Sequence, residues 1–157
     1  MPAQPVPEGY HTLTPYLAVD DAKAAIDFYQ RAFGAKERVR MHGPDGMIAH
    51  AELEIGDSKV MLADPFPQAS TRPPKELGGT SVGVFVYVEN VDEVFQQAVD
   101  AGATATMEPD DQFWGDRFGS VTDPFGHSWQ ISTHVEDVPP EEMEKRSKEW
   151  MAQMANV

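Results

Sequence analysis

The sequence predicts an α+β fold made of two copies of one βαβββ unit, followed by a C-terminal helix. Three observations predict it. Two segments have apolar residues at helical spacing. Each is preceded by one strand-like run and followed by three. The two copies, "LAVDD…FYQRAFGA" and "VYVEN…FQQAVDAGA", align at an offset of about 68 residues, which marks an internal duplication.

After a Pro-rich polar tail (1–11), the run "TLTPYLAV" (12–19) reads as the first strand. In "DDAKAAIDFYQRAFG", Ala22, Ala25, Ile26, Tyr29 and Phe33 share one face, Asp20 or Asp21 can cap the start, and Gly34 suits the end. "KERVRM", "MIAHAELEI" and "SKVMLAD" complete the first module (12–64). The segment 65–80 contains "DPFPQASTRPPKELGGT" without its first residue and reads as a Pro- and Gly-rich linker. The second module (81–134) opens with "SVGVFVYV". Its helix carries Val91, Val94, Phe95 and Ala98 on one face, with Asn90 and Glu93 as a capping-box pair and Gly102 at the stop. "TATMEP", "RFGSVTD" and "HSWQIST" are its remaining strands. The extension (135–157) begins with Pro-Pro and an acidic turn, which starts a helix well.

Composition narrows the functional classes. The 157 residues contain no cysteine, which removes disulfides, thiolate metal sites and cysteine nucleophiles. A formal net charge of -14 repels phosphate backbones and argues against a nucleic-acid partner. No apolar run approaches a membrane span of roughly 20 residues, and the N-terminus lacks the charged and apolar regions of a signal peptide. A cytoplasmic protein without membrane contact is expected.

The duplicated βαβββ, "FYQRAFG" after the first strand and "DPFGHSWQI" in the last hairpin together resemble the vicinal oxygen chelate superfamily, which includes glyoxalase I, bleomycin- and fosfomycin-resistance proteins and extradiol dioxygenases. The stretches "TPYLAVDDAKAAIDFYQRAFGA", "HAELEIGDSKVMLAD" and "WGDRFGSVTDPFGHSWQISTHVEDVPPEEM" are most similar to its PhnB-like branch. The resemblance implies sheets curled into half-barrels around a cavity, with the helices outside. It also implies a homodimer, with modules paired within one chain or between chains. Met143, Trp150 and Met154 are then apolar anchors for the last helix at the interface.

Given that fold, strand alternation assigns the faces. Leu13, Leu17 and Val19, Val82 to Val88 in steps of two, Val60 and Leu62, Ala51 to Ile55 in steps of two, and Trp129 and Ile131 form the helix-facing rows. Tyr16, His50, Glu52, Phe85, Tyr87 and Gln130 are thereby sent into the cavity, with Phe118 as a further aromatic wall. Trp114, Asp116 and Arg117 fall at the start of the seventh strand, near the rim. Arg117 can clamp a carboxylate or phosphate there, or serve in an ion pair, with Asp116 or at long range, that pins the hairpin. Asp123, Pro124 and Gly126 read as a turn, and His127 as structural. His11 and His134 flank strands as solvated or capping groups.

Metal-dependent members of the superfamily supply His or Glu from the first, fourth, fifth and eighth strands. Matching on the motifs places Thr14, Met61, Gly83 and Gln130 at these positions. They do not form the ligand set that a divalent ion needs, so no metal and no cofactor are expected. His50 and Glu52 share a strand face but supply only two donors. The expected function is metal-independent binding and sequestration of a small planar or aromatic molecule. The alternative is a glyoxalase-type lyase or isomerase, with His50 and Glu52 as candidate catalytic residues for proton transfer. A structural or regulatory partner without a ligand is a third class.

Overall fold

The structure is a computed structural model describing residues 2–157. The first module contains β1 (Tyr16–Ala18), α1 (Ala22–Phe33), β2 (Lys36–His42), β3 (Ile48–Ile55) and β4 (Ser58–Ala63). A short helix α2 (Pro74–Leu77) follows. The second module contains β5 (Gly83–Tyr87), α3 (Val91–Ala101), β6 (Thr104–Asp111), β7 (Asp116–Thr122) and β8 (Ser128–His134), and α4 (Pro140–Ala155) completes the chain. Each module is a four-stranded curled sheet, ordered β1-β4-β3-β2 and β5-β8-β7-β6. In each, the strand before the helix runs parallel to the last strand of the module and the other pairs are antiparallel. Neither sheet closes into a barrel, and the fold is α+β.

Local chemistry fixes the helix ends. The Asp21 carboxylate accepts from the Ala24 amide at 3.0 Å, and Gly34 takes the left-handed conformation that stops α1. Asn90 accepts from the Glu93 amide at 3.2 Å at the start of α3. The helices then pack against each other, on the same side of the molecule. One contiguous core includes Leu17, Val19, Ile26 and Leu53 from the first module and Val91, Phe95, Trp129 and Ile131 from the second.

The turn 123–127 fastens the modules together. Asp123 is buried and accepts from the amides of Phe125 and His127 at 2.9 Å each. It also accepts from the Trp129 indole at 2.9 Å and from the Tyr29 hydroxyl of α1 at 2.5 Å. Burial, then the Asp123 charge, holds the Tyr29 hydroxyl well above its ordinary pKa, so Tyr29 remains a donor. His127 donates from Nε2 to the Ala18 carbonyl at 2.8 Å, a second bond between modules. Gly126 has φ +90°, and a Cβ there would meet Pro74 at 2.8 Å, so both backbone and space require glycine.

Two expected positions differ. Leu13 and Val82 were assigned to the helix-facing rows, but both lie outside the strands and are 87% and 68% exposed. Alternation holds only where a ladder holds the pleat. β1 pairs from Tyr16 to Ala18 and β5 from Gly83 onward, so the rule does not extend to residues before them. The segment between the modules also contains a helical turn, α2, where a loop was expected.

Candidate functional site

Inside the ladders, alternation separates two faces. Leu17, Ala51, Leu53, Val60 and Leu62 are buried toward the helices. The other face of the first sheet carries Tyr16, His50, Glu52, Glu54, Lys59 and Met61, as the pairings Tyr16–Met61, Glu52–Met61 and Glu54–Lys59 require. The corresponding face of the second sheet carries Gly83, Phe85, Tyr87, Asp116, Phe118 and Gln130.

The first face is a hydrogen-bonded chain. The Tyr16 hydroxyl lies 2.8 Å from His50 Nδ1, and His50 Nε2 lies 3.1 Å from Glu52 Oε1. The Tyr10 hydroxyl donates to the other oxygen of Glu52. A carboxylate only accepts, so the consistent tautomer has His50 donating through Nε2 and receiving the Tyr16 proton at Nδ1. The Tyr10 bond, then the His50 bond, lowers the Glu52 pKa. Burial first, and then Glu52, pushes Tyr10 up to about 12 and raises Tyr16. Beside this chain Glu54 is held at about 2, by Lys59 at 2.6 Å and then Arg38 at 3.1 Å. Sequence reading missed Tyr10, which lies in the polar tail. Only its aromatic character among Pro and Gly residues marked it.

The second face is aromatic. Phe85 contacts Tyr87 and Phe118 with ring centroids 5.1 and 5.7 Å apart. Trp114 meets Phe118 edge-on at 6.1 Å and Phe113 at 5.2 Å, and Phe113 contacts Trp150 of α4 at 5.6 Å. Phe85 and Tyr87 remain 47% and 63% exposed, unusual for rings on a folded surface. The polar group here is Asp116, buried beneath Tyr87, which donates to it at 3.0 Å. His134 bonds Asp116 at 2.8 Å through Nδ1 and Asp137 at 2.7 Å through Nε2. Bonds to Asp116, then Asp137, raise the His134 pKa, whereas at Asp116 burial, the largest single effect, raises the pKa but is outweighed by the combined bonds of His134, Tyr87, Trp114 and Ser132, which leave it lowered. Applying alternation to the seventh strand would have put Asp116 beside Phe118. His134 had no such signal, since its second partner lies beyond the sheet.

The structure brings some predicted residues together and not others. Tyr16 and Phe85 line one open groove where β1 and β5 approach, a cavity of about 720 Å³ walled by the 70–82 segment. A neighbouring groove of about 690 Å³ takes Phe85 and Tyr87. His50 and Glu52 stand behind Tyr16. Trp114 packs in the aromatic group. Arg117 is on the helix side of its sheet, paired with Asp92 at 2.9 Å and Asp111 at 3.2 Å. Of its two sequence-based roles this geometry matches the ion pair, with α3 and β6 as partners. Among the described residues, no hydrogen bond, ion pair or ring contact joins the His50–Glu52 chain to the aromatic face.

The metal positions can be tested on their chemistry. Gln130 lies across Gly83, where a Cβ would come within 2.2 Å of its Oε1, and its amide nitrogen donates to Ser128 at 2.7 Å. Thr14 lines the groove and Met61 stands beside Tyr16. A hydroxyl, a thioether, a carboxamide and a glycine do not fit a hard or borderline divalent ion. Among the described residues no group of three or more His, Asp or Glu is placed to hold one.

Comparison with known proteins gives the lineage. Over 135 residues the chain is 47% identical to an uncharacterised protein of Mycobacterium tuberculosis (strain H37Rv), covering 84% of this chain and 79% of that one. Protein YjdN of Escherichia coli K12 is 30% identical over 141 residues, covering 76% and 93%. The crystal structure of TioX from Micromonospora sp. ML1 matches with TM-score 0.63 at 30% identity, covering 80% of this chain and 99% of that one. The PhnB protein of Bacillus cereus has the same fold, with TM-score 0.61 at 19% identity over 78% of this chain and 99% of the other. Residues 10–131 match the Glyoxalase/Bleomycin resistance protein/Dioxygenase superfamily, and the chain belongs to that superfamily.

Proposed function

We propose that the protein binds and sequesters a small planar or aromatic molecule, without a metal ion. The observation that carries this reading is the apolar groove of about 720 Å³ between β1 and β5, with Tyr16 and Phe85 in its wall and exposed Tyr87 beside it. Small-molecule sites combine such walls with a few placed polar groups. The donor chemistry of Thr14, Met61, Gly83 and Gln130 supports independence from metal.

A second reading is a lyase or isomerase using His50 and Glu52, favoured by the Tyr16–His50–Glu52–Tyr10 chain. In that chain the Nδ1 lone pair of His50 is occupied by Tyr16. A proton from a ligand in the groove would therefore pass through Tyr16, whose raised pKa keeps it a phenol near neutrality. This is why binding is preferred over turnover.

The same reading places the protein in the cytoplasm as a homodimer. The exposed Phe85, Tyr87, Trp150 and Met154 support a second copy covering part of this surface. No helix among the described residues is long and apolar enough to cross a membrane. Native mass spectrometry of protein purified without added ligand tests the proposal. A retained organic mass with no bound metal supports it, whereas one retained divalent ion per chain overturns metal independence. Monomer alone at micromolar concentration in sedimentation overturns the dimer.

A further inference from the structure

The charge distribution around the β1–β5 groove is unlike that of the rest of the protein. The chain has 26 Asp and Glu against 12 Lys and Arg, yet no residue lining this groove is acidic. Arg72 is among its lining residues. The other arginines, Arg31, Arg38, Arg40, Arg117 and Arg146, all pair with carboxylates. Among the described residues Arg72 has no carboxylate partner. Its guanidinium donates only to the Phe66 and Pro67 carbonyls, at 3.3 and 3.4 Å, which are long bonds.

Two further features make this an anchor rather than a stray surface charge. The carbonyl bonds tether the side chain to the 66–72 segment at the groove wall, which limits the entropy lost when it takes a ligand. They use two of the five N–H donors of a guanidinium and leave three. Ser70, Thr71 and Thr80 line the same groove, while Tyr16 and Phe85 supply its apolar part. In a protein of net charge -14, an arginine with no ion-pair partner among the described residues is a place where an anion meets little competition from carboxylates.

We infer that the groove takes an organic anion, an apolar or aromatic body ending in a carboxylate, sulfonate or phosphate oxyanion, with Arg72 holding the oxyanion. This rests on the small-molecule binding reading and adds the charge of the ligand to it. The body lies against Tyr16 and Phe85, and the guanidinium binds two oxygens side by side. Arg117, the arginine that the sequence suggested for such a clamp, is engaged by Asp92 and Asp111.

Two probes of nearly one shape separate the anchor from the pocket: 8-anilinonaphthalene-1-sulfonate and its uncharged counterpart N-phenyl-1-naphthylamine. Fluorescence titration of the full-length protein is expected to show tighter binding of the sulfonate, weakened by added salt. Arg72→Gln, an exposed position, should weaken the sulfonate by about tenfold and leave the neutral probe unchanged. Phe85→Ala should weaken both. Equal affinities for the two probes in the parent, or an Arg72→Gln variant that binds the sulfonate as the parent does, would overturn the anchor while leaving the pocket standing. Failure of both probes to bind overturns the pocket, and the proposed function with it. If Arg72→Gln instead converts a dimer to a monomer, the oxyanion is a carboxylate of a second copy and the small-ligand inference is wrong.

Discussion

On the first sheet, the face away from the helices carries His50, Glu52, Glu54 and Lys59, tied into chains by hydrogen bonds. On the second, the corresponding face carries Phe85, Tyr87 and Phe118 in ring contact, with Asp116 buried beneath. The two sheets share strand order and the parallel or antiparallel sense of every pairing, and the buried part of each helix-facing row is apolar, with Leu17, Leu53 and Leu62 in one and Val121, Trp129 and Ile131 in the other. The duplication has therefore kept what the core demands and released what it does not. A row packed between sheet and helix must be apolar and of fixed volume. A row facing outward is free to diverge, and here it has become titratable in one copy and aromatic in the other. The groove between them is walled by one edge of each, Tyr16 and Phe85.

The strongest way to break the comparison is to cut the tie that makes one core of two modules. Asp123→Ala leaves the Tyr29 hydroxyl, the Trp129 indole and two amides without their acceptor inside the core. Stability in urea should fall by about 3–5 kcal/mol, the range for breaking a buried charged network. One transition should remain, because both modules share the core. Two separated transitions would show that the sheets are independent units and that the tie is peripheral.

The aromatic side is sharpened by Tyr87→Ala. Losing one ring from the Phe85–Tyr87 pair removes a contact of about 0.5–1.5 kcal/mol as well as its buried area. Binding of a planar ligand should weaken by roughly tenfold, about 1.4 kcal/mol. Met41→Ala on the outer strand of the first sheet should leave it unchanged. Equal effects of both in a calorimetric titration would mean that the second face has no special part in binding.

How far the sequence foretold this division depended on what each residue needed from its surroundings. His50 and Glu52 were legible because β3 is a full ladder, in which Ala51, Leu53 and Ile55 show which side is core. Leu13 and Val82 were misread because alternation was carried past the pairing that enforces it. Tyr10 was invisible since its partner, Glu52, is distant in sequence and the tail has no pattern of its own. Arg117 was seen, and its carboxylates were not, because Asp92 lies on a helix whose rotation about the sheet no strand pattern records. Arg72 differs from the other arginines only through their ion pairs, which exist in the folded chain and leave no pattern along the sequence.

The titratable side should respond to acid. The bond from Tyr10, and next that from His50, lowers Glu52 in the folded protein. The stability that Glu52 contributes is therefore complete above its unfolded pKa of about 4.3 and is lost as pH falls through the lower folded value. Glu52→Gln should be less stable than the parent at pH 7, and the gap should narrow as pH is lowered from 5 toward 3. A gap that stays constant in urea titrations across this window would show that the chain gains nothing from the charge.

The smallest effect tests whether the aromatic face has a titratable group of its own. His134 lies between Asp116 and Asp137, and bonds to them, in that order, raise its pKa above 6.5. For a base raised on folding, the stabilisation is fully present below the unfolded pKa of about 6.5 and fades as pH rises through the folded value. The parent should therefore lose a little thermal stability between pH 6 and pH 8.5 that His134→Gln does not lose. The imidazole is half exposed, so solvent screens the pair and the shift in Tm should be small. The substitution leaves the Tyr87–Asp116 bond in place, so planar-ligand binding should be unchanged at pH 8.5. If His134→Gln keeps the parent's full pH slope, the slope arises elsewhere and His134 is a bystander. If it also abolishes ligand binding at pH 8.5, the second face depends on this imidazole, and the contrast between a titratable sheet and an aromatic one no longer holds.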